Sequence, residues 1–270
     1  MLAVFFKGFV FLCLIFAFSG CSVKDIEYVP EEPVNVESIT EEDDLFEIGE
    51  NYRLPVLGFH HVGDTPIHLS ESAKQWYIET DTFLGMLDFI IDEGYEAITA
   101  SNLNEYLESG RIPSKPIMLT FDDGAIDFYT VVFPIIKERK IPVTLFIMTG
   151  VGGKNFVNKE QVIEMHDSGF VDIQSHTKYH AYLTRINGEE RKVELEGSKD
   201  YIENLLDKEA VAIAYPFGLH DDAVVEDVMD VGYKLGFTIV SGNEHLRDDR
   251  FRLHRKLVTE NTDLSVVLYE

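Results

Sequence analysis

Apolar residues recur along most of the chain in two rhythms that take turns. Short unbroken runs, among them Pro55–Phe59, Ile117–Leu119, Val143–Met148 and Ala210–Tyr215, are bounded by proline, glycine or charge and predict buried strands. Between these runs the apolar positions return every three or four residues. Phe83, Leu84, Leu87, Phe89, Ile90 and Ile91 predict a helix over 80–93 that Gly94 stops, and 189–206 predicts a longer amphipathic one. Further strands are expected at 96–99, 171–175 and 237–240. Further helices are expected from a Ser101 cap to Gly110, from Gly124 to about Lys140 with a kink or turn at Pro134, and over 161–167 and 221–231. Regular alternation of this kind implies an α/β fold on a parallel sheet or barrel. The period is structural, since no internal sequence repeat accompanies it.

The N-terminal stretch departs from this pattern. Lys7 precedes the apolar run Phe9–Phe18, which is too short to span a bilayer comfortably and leads into Phe18-Ser19-Gly20-Cys21. The arrangement resembles a secretory signal over residues 1–20 ending in a bacterial lipobox. It implies lipid on the Cys21 thiol and a mature chain anchored to the membrane at the bacterial cell surface. Phe18, where a smaller aliphatic residue is usual, and a single lysine are departures, and simple secretion or an N-terminal anchor helix are the alternatives. Cys13 falls inside the signal, so a mature chain holding only Cys21 forms no internal disulfide. Residues 21–53, with Pro30, Pro33 and the block Glu41-Glu42-Asp43-Asp44, read as an acidic tether ahead of one folded domain over 54–270.

Charge narrows the partners. Of the formal net charge of −25, the first 50 residues carry eleven acids against two lysines, which leaves −16 for the remainder. Such a balance excludes nucleic acid as a ligand, because phosphate binding needs lysine and arginine in excess. A neutral or cationic polymer suits it better. The composition, 45% hydrophobic and 26% charged, is that of a globular domain able to bury one substantial core without disulfides.

Two motifs carry candidate chemistry. Thr120-Phe121-Asp122-Asp123-Gly124 closes a strand, and a bend at Gly124 would let two adjacent carboxylates serve one site. One of them can hold a cation while the other acts as a base. The competing account is a strand-to-turn cap, since Asp-Asp-Gly is common in turns. In His176-Thr177-Lys178-Tyr179-His180, two histidines four apart on a helical turn would share a face and ligate one metal. With an acid from the first motif they would make a His-His-carboxylate triad with open positions for water. His60, Asp122, Asp123, His176 and Phe217 all follow strands, and parallel barrels place their chemistry on that face.

Thr120–Gly124, Ser175–His180 and Ala214-Tyr215-Pro216-Phe217-Gly218 occur in the order seen in the polysaccharide deacetylases, the NodB-homology domain of carbohydrate esterase family four, which this chain resembles from about Leu54 onward. The resemblance implies a distorted parallel (β/α) barrel that binds one divalent metal, zinc foremost, and deacetylates an acetylated amino-sugar polysaccharide. It makes Asp122 the catalytic base, and Asp123, His176 and His180 the metal ligands. The Phe217 backbone N–H becomes the oxyanion donor, with Tyr215 and Pro216 as substrate-binding positions of the same motif and Gly218 as scaffold. Ala214 stands where many members carry an arginine that orients the base, and the Asp-Trp pair expected later in the chain is missing. Trp76 is the only tryptophan. Leu57-Gly58-Phe59-His60-His61 is similar to an acid motif that one branch, acting on poly-β-1,6-N-acetylglucosamine, carries N-terminally. That makes His60 the expected general acid, with His254 as its rival and His61 as a supporting or structural residue.

Hydrolysis of an acetamide needs an activated water, a stabilised oxyanion and a proton donor, and this set of residues has a candidate for each. A histidine can hold the donated proton near neutral pH. The other readings are a non-catalytic glycan-binding lipoprotein on the same fold and an O-acetyl (xylan) esterase. No G-x-S-x-G elbow is present, and Gly150-Val151-Gly152-Gly153-Lys154 fits neither phosphate-loop spacing, so it reads as a loop after a strand.

Overall fold

The predicted strand runs form one curved parallel sheet in the computed structural model, which describes residues 45–269. Its strands are β1 (Val56–Phe59), β2 (Pro116–Phe121), β3 (Val143–Ile147), β4 (Val171–Ser175), β5 (Ala212–Ala214), β6 (Leu235–Phe237) and β7 (Lys256–Leu257). They lie in the order β6-β5-β4-β3-β2-β1-β7, with the short strand Glu96–Ala97 beside the start of β2. A bridge between Phe237 and Leu253 ties β6 to the segment that runs into β7, so the sheet meets itself as a small distorted barrel. Helices cover it: α1 (Thr80–Asp92), α2 (Ala100–Ser109), α3 (Phe133–Arg139), α4 (Lys159–Asp167), α5 (Gly188–Leu206) and α6 (Asp222–Val231).

Every residue of β1 to β6 is buried, which is why these strands read as largely apolar runs, except β4, where the buried Asp172, Gln174 and Ser175 alternate with Val171 and Ile173. Alternate residues divide between two clusters. Leu57, Phe59, Leu119, Phe121, Leu145 and Ile173 face outward against Phe83 and Leu87 of α1, Ile136 of α3, Met165 of α4 and Ile202 of α5. Val56, Met118, Phe146, Ala212 and Phe237 face inward, joined by Leu103 and Leu107 of α2, which stops the barrel where its strands begin. At the opposite end the inward side chains are His60, Asp122, His176 and Arg255 instead of hydrocarbon.

Several expectations change. The folded part begins well before residue 54. Leu45–Glu47 pairs antiparallel with Arg111–Pro113, Asn51–Arg53 pairs with Glu244–Leu246, and Ile48 and Tyr52 enter the inner core, so residues 45–53 are not tether. Three-residue edge strands with at most one buried position are too short to show a period. Helix α2 is capped by Thr99, whose side chain accepts from Asn102 N while Asn102 returns a bond to Thr99 N. Ser101 instead accepts from the Gln174 amide. Ahead of α3 the chain takes one wide π turn over Phe128–Val132, and Pro134, which lacks an N–H, sits in the first turn of α3 where none is needed. The predicted strand over 237–240 has already ended at Phe237, after which Thr238 turns to bond Leu253 O. The signal, Cys21 and the acidic block lie outside the described residues. Among the described residues no helix is long and apolar enough to cross a membrane.

Candidate active site

Asp122 and Asp123 leave β2 in different directions because the backbone turns between them. The Asp122 N–H still donates along the sheet to Phe59 O at 3.0 Å. Asp123 itself then adopts φ +71° and Gly124 follows at φ +73°. The bend is therefore shared by an aspartate and the glycine, where a bend at Gly124 alone was expected. A Cβ on Gly124 would stand 3.0 Å from Ile147 Cγ2, so space as well as dihedral demands glycine there.

Asp122 is 3% exposed and paired with an arginine that sequence reasoning missed. Arg255 donates from Nη1 to Oδ1 at 2.7 Å and from Nη2 to Oδ2 at 2.8 Å, a bidentate fork. Two further donors go to Thr238 O at 2.8 Å, from Nε, and to Thr120 Oγ1 at 3.3 Å, from Nη1. Gly58 lets β7 pack closely instead, since a Cβ there would stand 3.1 Å from Leu257 Cδ2, while the fork would lie at an ordinary 3.8 Å from it. Burial would raise the Asp122 pKa, but Arg255, with His176 and His60, more than reverses this and holds the carboxyl well below the usual range. Arg255 thus supplies what Ala214 does not.

His176 and His180 do meet Asp123, though not on a helical turn. Thr177 at φ +65° and His180 at φ +58° fold the segment into an irregular loop that carries the second ring back beside the first, with centroids 4.8 Å apart. Asp123 Oδ1 lies 3.5 Å from His176 Nε2 and 3.7 Å from His180 Nε2. His176 Nδ1 is 2.8 Å from Ala214 O, which fixes the proton on that nitrogen and leaves the Nε2 lone pair facing Asp123. Burial, and then the nearby His176, lowers the His180 pKa and favours its neutral form. Two imidazoles and a carboxylate fit a divalent cation. Ligands about 2.1 Å from a tetrahedral zinc stand about 3.4 Å apart, close to these separations.

His60 belongs to the same site. It lies in the fields of Asp122, Asp123, Arg255 and His176, and its ring rests on Trp76 with centroids 4.6 Å apart. Burial lowers its pKa while the two aspartates pull the other way. The rival, His254, lines a different cavity of about 190 Å³ with His245, Glu244, Asp249 and Arg252. His61 faces away to Asp127, with 3.0 Å between Nδ1 and Oδ2, and stacks on Tyr77.

The sequence profile of the Polysaccharide deacetylase family matches residues 109–236, the span that holds Asp122, Asp123, His176, His180 and Phe217. The chain carries a polysaccharide deacetylase domain. It is 26% identical over 209 residues to the putative polysaccharide deacetylase YxkH of Bacillus subtilis, covering 77% of this chain and 72% of that one. It is 26% identical over 208 residues to the poly-β-1,6-N-acetyl-D-glucosamine N-deacetylase of Staphylococcus epidermidis, covering 71% of each. Among solved structures, the deacetylase PplD of Streptococcus pyogenes in complex with acetate superposes with a TM-score of 0.75 at 28% identity, covering 80% of this chain and 98% of that one.

Within the deacetylase domain, Phe217 adopts φ +60° and packs its ring 4.5 Å from His180. Tyr182 stacks on it at 3.9 Å and carries Arg185 on its own ring at 4.4 Å. The substrate-binding expectation for Tyr215 and Pro216 is corrected. Tyr215 is fully buried with its hydroxyl donating to Phe251 O at 2.9 Å, and Pro216 is buried too, so both hold the loop from within. Four of the six described non-glycine residues with positive φ, Asp123, Thr177, His180 and Phe217, fall in this one site. Strain of this kind persists only where surrounding bonds impose it. Ala214 O and Arg255 left no sequence signal of their own. Trp76 did, as the one tryptophan in a chain that lacks the later Asp-Trp pair.

Proposed function

We propose that the chain is a metal-dependent hydrolase that removes N-acetyl groups from an extracellular glycan, with β-1,6-linked poly-N-acetylglucosamine as the substrate class. The observation that carries this reading is the division of the acid pair. Asp123 sits with the two histidines, whereas Asp122, one residue away, is turned out of that set and fixed by Arg255. The substrate class follows the staphylococcal relative and the N-terminal position of His60.

Asp123, His176 and His180 would hold the cation, whose Lewis acidity acidifies a water and polarises the acetyl carbonyl. Asp122 accepts the proton of the attacking water. Arg255 keeps this carboxylate ionised and aimed, at some cost in basicity. The Phe217 N–H donates to the carbonyl oxygen as negative charge builds on it. His60 then gives a proton to the amine nitrogen as the C–N bond breaks, and the negative field of the two aspartates helps it carry that proton.

The test is acetate release from defined acetylated oligosaccharides with added Zn²⁺, together with metal binding by two variants. Asp122→Asn is expected to bind metal as the parent does while turnover falls about 10²- to 10⁴-fold. His176→Ala is expected to lose the metal. Equal metal loss in both variants, or no acetate from any oligosaccharide, rejects the reading. Release from acetylated xylan alone would make the chain an O-acetyl esterase.

A further inference from the structure

The five residues from His176 to His180 have an unusual backbone, and its hydrogen bonds can be accounted for one by one. Two positive φ angles at non-glycine residues, one of them the β-branched Thr177, make the loop unfavourable on its own. Thr177 N donates to Ser175 Oγ at 3.1 Å, and His180 N donates to Thr177 Oγ1 at 3.0 Å. The carbonyls of Thr177 and Lys178 accept from Thr149 N at 3.2 Å and Gly150 N at 2.7 Å. His176 N donates to Ile147 O at 2.9 Å, and the remaining two amides, those of Lys178 and Tyr179, both donate to Glu194 Oε2, at 3.0 and 2.8 Å.

Glu194 comes from α5 and is 7% exposed. A carboxylate is costly to bury unless its charge is met by donors, and here two backbone N–H groups meet it. The helix that presents it is fastened to the end of β4, where the loop starts, and to the segment that leads into β5. Ser198 Oγ lies 2.8 Å from Ser175 Oγ, and Lys199 Nζ donates to Ala210 O at 2.7 Å. Both amides held by Glu194 lie between the two histidines in sequence, so their release frees His180 to move relative to His176.

We propose that Glu194 is a positioning residue for the metal centre, its buried carboxylate setting the loop that brings His180 to His176 and Asp123 for a divalent cation. The inference rests on the metal reading of the site given above. A residue that fixes the orientation of ligands without touching the ion is commonly worth 10- to 100-fold in metal affinity. A purely structural role would lower thermal stability and leave the dissociation constant of the folded protein as it was.

Zn²⁺ binding to the full-length chain, by competition with a chromophoric chelator well below the melting temperature, separates these cases. Glu194→Ala is expected to weaken Zn²⁺ binding about 10- to 100-fold. Glu194→Gln, which keeps an acceptor oxygen at the same reach, is expected to lose less, and to show faster hydrogen exchange at the Lys178 and Tyr179 amides in the metal-free protein. Parent-like Zn²⁺ affinity in Glu194→Ala, or in Glu194→Gln should the alanine variant fail to fold, overturns the inference while the metal reading stands. A parent chain that takes up no Zn²⁺ overturns both.

Discussion

Arg252 and Arg255 flank His254, and their fates are opposite. Arg252 is a partly exposed side chain paired with Asp249 and Asp222, whereas Arg255 is 1% exposed and grips Asp122. In the sequence nothing distinguishes the two arginines. Solvent exposure separates them, and it depends on the way Leu253–Leu257 threads between β6 and β1, which no local pattern reveals. Removing one partner of a buried pair leaves an uncompensated charge, so Arg255→Ala is expected to lose about 3–5 kcal/mol of stability. Arg255→Lys keeps the charge but not the bidentate fork. Its turnover is expected to fall at least about tenfold with Zn²⁺ binding unchanged, since the fork touches no metal ligand. Steady-state kinetics beside a metal-binding isotherm checks this, and parent-like turnover in Arg255→Lys would remove Arg255 from the machinery.

Among the elements, the antiparallel pair formed by Asn51–Arg53 and Glu244–Leu246 shows how a strand too short to predict can still matter. It buries His245, whose Nε2 lies 2.8 Å from Leu54 O and whose ring stacks on Tyr52. Burial pushes the His245 pKa down to about 4. An unfolded histidine titrates near 6.5, so between these values the unfolded chain takes up a proton that the folded chain refuses. The stabilisation is complete above about pH 6.5 and is lost as the pH falls toward 4, by on the order of 3 kcal/mol in all. Chemical denaturation from pH 7 to 4 is expected to show that decline, and His245→Gln to flatten it. An unchanged slope in the variant would assign the pH dependence to other groups. The same scale accounts for the His176–His180 loop. A spacing of four is compatible with a helical face, but positive φ at Thr177 and His180 arises from the Glu194 and Gly150 contacts, which come from distant segments.

For the whole molecule, we expect lipid at Cys21 to hold the acidic chain at a membrane. The apolar run before Cys21 is short for a span, and a lipid there would supply the anchoring that the run cannot. Labelled palmitate is expected to enter the parent chain and not Cys21→Ser, with the variant moving to the soluble fraction. Equal labelling of both would end the lipobox reading.

The sequence by itself determined the alternation of strand and helix, the two acids at a strand's end, the pair of histidines and the order in which these arrive. Such features are local: burial of a parallel strand writes itself as a continuous apolar run, and the chemistry of a site is carried by residue types. Only the tertiary structure decided that Asp122 and Asp123 part company, that Arg255 replaces the arginine absent at Ala214, that His60 and not His254 faces the aspartates, and that Tyr215 is packed inside. Each of these depends on which side of a backbone bend, or which face of a closed sheet, a side chain takes. Contacts between segments distant in sequence set most of these choices, the fork from Arg255 to Asp122 spanning 133 residues.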